Sequence, residues 1–227
     1  MRRHFEKEIM DDFTITDERI DSALDELKII NKYLGGCSAS RDGINKLILN
    51  PAGTRSHSVL DVGAGGSENL NFDKTENENL NITSLDINER ACYYTRNNIR
   101  GGQVVCGNAL FMPFKESSFD IVHASLFLHH FTEDEIIRLL EIFVQVSRLG
   151  VVINDLHRSI FAYGGIKFIT ALLSNSIMVK NDAPLSVKRG FVKREIVKIF
   201  CRSESLSFHI RYRWAFRWLV VIRKRAL

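Results

Sequence analysis

Residues 58–66 read Ser-Val-Leu-Asp-Val-Gly-Ala-Gly-Gly, an apolar burst that runs straight into a turn crowded with glycine. Without a Cβ, such a turn lets backbone amides come close to a ligand. Twenty-five residues beyond Asp61, a second apolar stretch from Ile82 to Leu85 ends in another acid, Asp86. A strand, a glycine turn and an acid closing the next strand suit a pocket of the nucleotide-binding type at the carboxyl edge of a parallel sheet. Proton-transfer chemistry has its candidates further along. His129 and His130 follow the fourth apolar run, and His157 follows the fifth, directly after Asn154-Asp155-Leu156. An imidazole exchanges a proton near neutral pH, and a neighbouring carboxylate such as Asp155 can orient it.

These residues need a scaffold, and the apolar periodicity predicts one. Helical character is expected over 4–34, with Asp17 as a cap and Ile20, Leu24, Leu27 and Ile30 on one face, ended by Gly35-Gly36. A second helix is expected from Arg41 to Leu49. Strands are predicted at 59–62, 82–86, 103–106, 119–124 and 151–154, with helices over 68–81, 89–99 and 133–146 between them. Strand and helix in alternation imply right-handed parallel βαβ units. The end of the chain differs. Residues 206–212 and 214–223 read as two adjacent strands, an antiparallel hairpin with Trp214, Phe216 and Trp218 on one face.

Composition narrows the class. The chain has 227 residues, 45% apolar and 26% charged, which suits one domain with a full core. The N-terminus lacks an apolar run behind its basic residues, and no apolar stretch reaches spanning length, so a cytoplasmic protein is expected. Cys37, Cys92, Cys106 and Cys201 are scattered without a CxxC pair, so free thiols and no metal site are expected. From Lys188 onward twelve Lys or Arg face two acids. That region carries +10 and the rest of the chain −6, a distribution suited to a solvated face or to an anionic partner.

Taken together, the motifs resemble class I S-adenosylmethionine-dependent methyltransferases. The first motif of that family, Leu-Asp-x-Gly-x-Gly-x-Gly, stands here as Leu60 to Ser67, with Ser67 in place of the third glycine. The Gly-Asp-Ala loop after the third strand stands as Gly107-Asn108-Ala109. Residues 118–122 match the fourth strand, and the run Ser125 to Phe131 matches the loop beyond it, where many small-molecule members read Leu-His-His. The resemblance implies a Rossmann-like α/β fold with a seven-stranded, mostly parallel sheet of order 3-2-1-4-5-7-6 and an antiparallel C-terminal hairpin. It is read as one domain over 1–227: an N-terminal helical lid (1–55), a cofactor core (56–155), a helical insertion after strand five (156–200) and the hairpin (201–227). S-adenosyl-L-methionine is the implied cofactor, held by Asp61, Gly63, Ala64, Gly65, Asp86, Ile87, Asn108, Ala109, Ser125 and Leu126. Asp86 would accept from the ribose hydroxyls. Asn108 would meet adenine through its carbonyl oxygen, without the charge of the usual aspartate.

The crowd of apolar residues over 160–178 is expected to be buried or to roof a pocket. Met10, Phe13, His129, Phe161, Tyr163 and Ile166 are the expected substrate contacts. Segments 154–158 and 182–189 resemble bacterial small-molecule methyltransferases acting on quinone-like or secondary-metabolite aromatics. The expected reaction is O-methylation of a phenol, quinol or polyketide, with His157 or His130 as base. The alternatives are C-methylation of a quinone-type or lipidic acceptor, an RNA methyltransferase, and a cofactor-binding protein without activity. The absence of an Asn/Asp-Pro-Pro-aromatic motif after strand four argues against nucleic acid as partner. The apolar insertion and basic end suit peripheral contact with a membrane. The sequence leaves the oligomeric state open.

Overall fold

The computed structural model describes residues 1–48, 56–67, 69–70, 80–98, 102–202 and 207–224. Seven strands form one sheet: β1 (His57–Val62), β2 (Leu80–Asp86), β3 (Gln103–Cys106), β4 (Phe119–Ser125), β5 (Ser147–Leu156), β6 (Ser207–Arg213) and β7 (Arg217–Arg223). Their order is β3-β2-β1-β4-β5-β7-β6, as the resemblance implied. The first five are parallel, and β7 lies antiparallel to both β5 and β6.

Alternation along the strands separates two apolar layers. On one face Val59, Ile121, Val152, Leu219 and Val221 pack against α2 (Gly36–Leu47) through Ile44 and Leu47. On the other, Leu60, Val62, Val122, Ala124 and Ile153 meet α4 (Glu133–Val146) and α7 (Lys193–Phe200). The buried stripe of α4 is Ile136, Leu139, Leu140 and Phe143, and Thr132 caps it in a reciprocal box with Glu135. The helix α1 (Glu18–Tyr33) begins at Asp17, whose carboxylate accepts from the Arg19 N–H, and it packs with α3 (Glu89–Asn98) and α6 (Ile177–Arg189).

Several expectations need correction. Helix does not begin at residue 4: residues 9–11 form one short turn, and Asp17 starts α1. Gly35 takes a left-handed φ of 74°, and α2 starts at Gly36 rather than Arg41. The expected helix over 68–81 falls mostly outside the described residues. The expected strand at 151–154 is the centre of a longer β5, which runs from 147 to 156 because β4 and β7 pair with it along both edges. Trp214 to Phe216 make the β6–β7 turn, with Ala215 and Phe216 both at positive φ, so Trp214 is exposed there rather than part of an aromatic strand face. The 160–178 segment splits into α5 (Ile160–Leu173) and the start of α6. Only Ala162, Ile166 and Thr170 of α5 are buried, while Ile160, Phe161, Phe168, Leu172 and Leu173 face solvent. Among the described residues no helix is long and apolar enough to cross a membrane.

Candidate active site

The carboxyl ends of β1, β2, β3 and β4 open onto a cavity of about 330 Å³. Its floor begins with the glycine turn. The N–H groups of Gly63 and Ala64 both donate to Leu85 O, at 2.9 and 3.1 Å, which folds the turn back onto β2. Gly63 sits at φ 63°, and a Cβ there would collide with the Phe127 ring. Ser67, at the third family glycine position, adopts φ 50°, the same left-handed conformation, and its hydroxyl lies 2.7 Å from Ser84 Oγ. That hydrogen bond gives the serine a local reason for a conformation glycine would take freely.

Asp86 holds the turn, and Asp61, just before it, is held in its own pair. Asp86 Oδ2 accepts from the Gly65 N–H at 2.8 Å, and its Oδ1 accepts from the Asn88 N–H at 2.9 Å. Burial raises the Asp86 pKa, and the donors on Asn88 and Gly65 offset this only in part. Asp61 Oδ1 lies 2.7 Å from His123 Nδ1, whose Nε2 lies 2.8 Å from Ser40 Oγ on α2. His123 is therefore a fully buried link between β1 and α2 rather than a group of the cavity. Across the cavity, Asn108 Oδ1 accepts from the Leu110 N–H at 2.9 Å, capping the Ala109–Phe111 turn. Leu126 holds φ 53° just past β4 while its N–H donates to Asn154 O. Strain of this kind at a non-glycine residue is typical of pocket walls held by their surroundings.

The roof is built from distant sequence. Met10 and Phe13 of the N-terminal segment, Ile20, Leu24 and Leu27 of α1, and Val179 and Ala183 of α6 line it. Asp182 fastens the segment by accepting the N–H groups of Ile9 and Met10 at 2.8 and 3.0 Å. Arg189 at the end of α6 pairs with Asp11 at 2.6 Å and donates to the carbonyls of Glu6, His129 and His130.

This clasp sets the histidines. His129 Nδ1 lies 2.7 Å from Asp155 Oδ1, and its Nε2 lies 3.5 Å from Glu8 Oε1. Burial works against a charge on His129, but the carboxylates of Asp155 and Glu8 outweigh it and lift its pKa to about 9. His130 Nδ1 lies 2.7 Å from Asp11 Oδ1, at the edge of the cavity.

The ten residues expected around the cofactor all line this cavity, and so do Met10, Phe13, His129 and His130. His157, Phe161, Tyr163 and Ile166 do not. Because β5 continues to Leu156, His157 emerges beside the β6–β7 turn. Its N–H donates to Phe216 O, and its ring lies against Tyr212, Phe216 and Trp218. Burial, then the nearby Arg158 charge, lowers its pKa. Ile166 packs with Ala162 and Val187 and Tyr163 lies against that cluster, while Phe161 is 77% exposed. Sequence reasoning gave no site role to Glu8, Asp11, Asp182 or Arg189, although it singled out the 182–189 segment that the last two begin and end.

A family model described as a methyltransferase domain matches residues 60–153. No curated protein matches the sequence. Among solved structures, the plantazolicin methyltransferase BpumL, in complex with a monoazolic desmethylPZN analog and SAH, is 15% identical with a TM-score of 0.67, over 92% of this chain and 90% of that one. A SAM-dependent methyltransferase from Aquifex aeolicus is 14% identical with a TM-score of 0.57, over 81% and 88%. Magnesium protoporphyrin IX methyltransferase from Synechocystis PCC 6803, with bound SAM, is 13% identical with a TM-score of 0.54, over 84% and 80%.

The residues present fit such a cofactor. The Asp86 oxygens each accept one N–H and keep lone pairs for further donors. Asn69 Oδ1 and Ser125 Oγ are buried in the cavity lining without a hydrogen-bond partner among the described residues, which is the condition of groups that await a polar ligand. The methyltransferase-domain match falls on the very strands that shape this cavity, and the chain shares the class I fold of the S-adenosylmethionine-dependent methyltransferases among those solved structures.

Proposed function

We propose that the chain transfers a methyl group to a hydroxyl of a small hydrophobic, aromatic acceptor of the phenol, quinol or polyketide type. The observation that carries this reading is the His130–Asp11 pair, 2.7 Å apart, in a cavity wall that also carries Met10, Phe13, Leu27, Phe127 and Phe131. Asp61, the glycine turn, Asp86, Asn108 and Ala109 would hold S-adenosylmethionine, which supplies an electrophilic methyl when bound. An apolar wall excludes water and orients a ring by its faces.

The remaining task is removal of a proton. Asp11 takes the Nδ1–H of His130, which leaves Nε2 with its lone pair. That nitrogen accepts the acceptor's hydroxyl proton as the new O–CH₃ bond forms and the S–CH₃ bond breaks, its electron pair staying on sulfur. His129 is unsuited to this step. Raised to about 9, it already holds its proton at neutral pH. The names of two structural neighbours, plantazolicin methyltransferase and magnesium protoporphyrin IX methyltransferase, support a small-molecule or peptide acceptor over a nucleic acid.

A panel of phenols, quinols and their O-blocked analogues, assayed with labelled methyl donor, tests the proposal. Label is expected on the hydroxyl of at least one apolar phenol or quinol and on none of the blocked analogues. Label entering ring carbon of a blocked analogue at equal rate overturns O-methylation.

A further inference from the structure

Glu8 Oε1 and His129 Nε2 are both buried, both line the cavity, and neither has a hydrogen-bond partner among the described residues. One donor atom from each of Glu8, His129 and His130 lies within 4.8 Å of the other two. Glu8 comes from the N-terminal segment and the histidines from the turn after β4, so only the folded chain assembles the three. Each histidine gives its Nδ1 to a carboxylate at 2.7 Å, His129 to Asp155 and His130 to Asp11. Carboxylate–histidine pairs of this form orient imidazoles toward a metal and raise their basicity. Two imidazoles and one carboxylate, with a cavity on the open side, make a three-ligand set with a free position.

Charge argues the same way. Glu8 and Asp11 share the guanidinium of Arg189, while Asp155 sits against His129. Arg189 Nη1 sits 2.6 Å from Asp11 but 3.7 Å from Glu8, beyond hydrogen-bonding distance. Three carboxylates, Glu8, Asp11 and Asp155, converge on the two imidazoles, and a bound divalent ion takes the place of the proton that His129 otherwise holds. The expectation of no metal rested on the cysteine pattern, which has no bearing on a histidine–carboxylate site.

We propose that Glu8, His129 and His130 bind one divalent transition-metal ion, with zinc as the best match to the donor set, and leave a coordination position free toward the cavity. The site stands on this chain's own residues. Its use rests on the O-methylation reading. An acceptor hydroxyl in the free position loses its proton to solvent more readily beside the cation, and its oxygen lone pair then takes the methyl. In the loaded protein His130 is a ligand and the ion replaces it in activating the hydroxyl. Because Glu8 lies on the N-terminal segment, the ion also ties that segment to the edge of the sheet.

The full chain, stripped with a chelator, is titrated with zinc by calorimetry and with cobalt by absorption. One equivalent of each is expected to bind, and the cobalt spectrum should show d–d bands without thiolate charge transfer. Affinity should fall at least roughly 10- to 100-fold in Glu8→Gln and His129→Ala and stay unchanged in the double variant Cys106→Ser/Cys201→Ser. Glu8→Gln keeps the side-chain volume, and circular dichroism confirms its fold if His129→Ala does not fold. Zinc should also slow tryptic cleavage after Arg2, Arg3 and Lys7 in the wild type and not in Glu8→Gln. Absence of stoichiometric binding, binding undiminished in Glu8→Gln, or binding lost in the cysteine variant each overturns the site. Donor binding by the same stripped protein is measured separately. Donor binding without metal binding defeats this proposal alone, and loss of donor binding defeats the methyltransferase reading.

Discussion

The Asp86 carboxylate accepts the backbone N–H of Gly65 across 2.8 Å, so the acid that ends β2 also holds the turn that follows β1. The group expected to grip the ribose is thereby a brace for the loop beside it. Asp86→Ala should weaken S-adenosylmethionine binding by about 1–3 kcal/mol, roughly 5- to 150-fold in Kd by calorimetry. Its pKa is raised by burial, so acidification neutralises it before an ordinary carboxylate. Wild-type donor affinity should therefore fall on acidification at a higher pH than an ordinary carboxylate would give, and Asp86→Asn should remove that slope. For stability the sign is opposite. A raised folded-state pKa favours the fold below the unfolded value, and that contribution is lost as pH rises through the folded value.

His130 and His157 were equal candidates as bases, and the fold separates them. His130→Ala should lower turnover by about 10²- to 10⁴-fold with donor affinity intact. His157→Ala, whose ring sits among Tyr212, Phe216 and Trp218, should keep both within about 2-fold, the ordinary range for a site outside the cavity. Equal losses of turnover in the two variants would remove His130 as the base.

Gly63 has no room for a side chain because Phe127 lies over it. Gly63→Ala should cost about 1–3 kcal/mol in chemical denaturation. Phe127→Ala in the same chain should restore part of that loss, measured as a coupling energy in a double-mutant cycle.

Asp182 accepts two backbone N–H groups from the N-terminal segment. Asp182→Ala should free residues 1–12 from α6 at a cost of about 2 kcal/mol, the scale for charge-assisted hydrogen bonds. Tryptic cleavage after Lys7 should then be roughly 10- to 30-fold faster, since cleavage tracks the open population. An unchanged cleavage rate would mean that Arg189 alone secures the lid.

The floor of the site was legible because it is local. Leu60 to Ser67 and Ile82 to Asp86 are strand, turn and strand whose apolar runs and glycines state their conformation within a few residues, and parallel pairing then places Gly65 beside Asp86. Asn108 and Ser125 follow from the same rule at the ends of β3 and β4. The roof was misread because burial of an apolar helix depends on what lies next to it. Residues 160–178 looked like a cover, yet α6 stands between α5 and the cavity.

Sequence alone determined the strand–helix alternation and the glycine turn, since each depends on contacts between chain neighbours or on one repeated unit, and the resemblance of its motifs implied the strand order and the cofactor. Tertiary structure alone decided which histidines face the cavity. His129 and His130 acquire their chemistry from Glu8, Asp11, Asp155 and Arg189, partners 26 to 121 positions away whose charges interact only once folding removes water from between them.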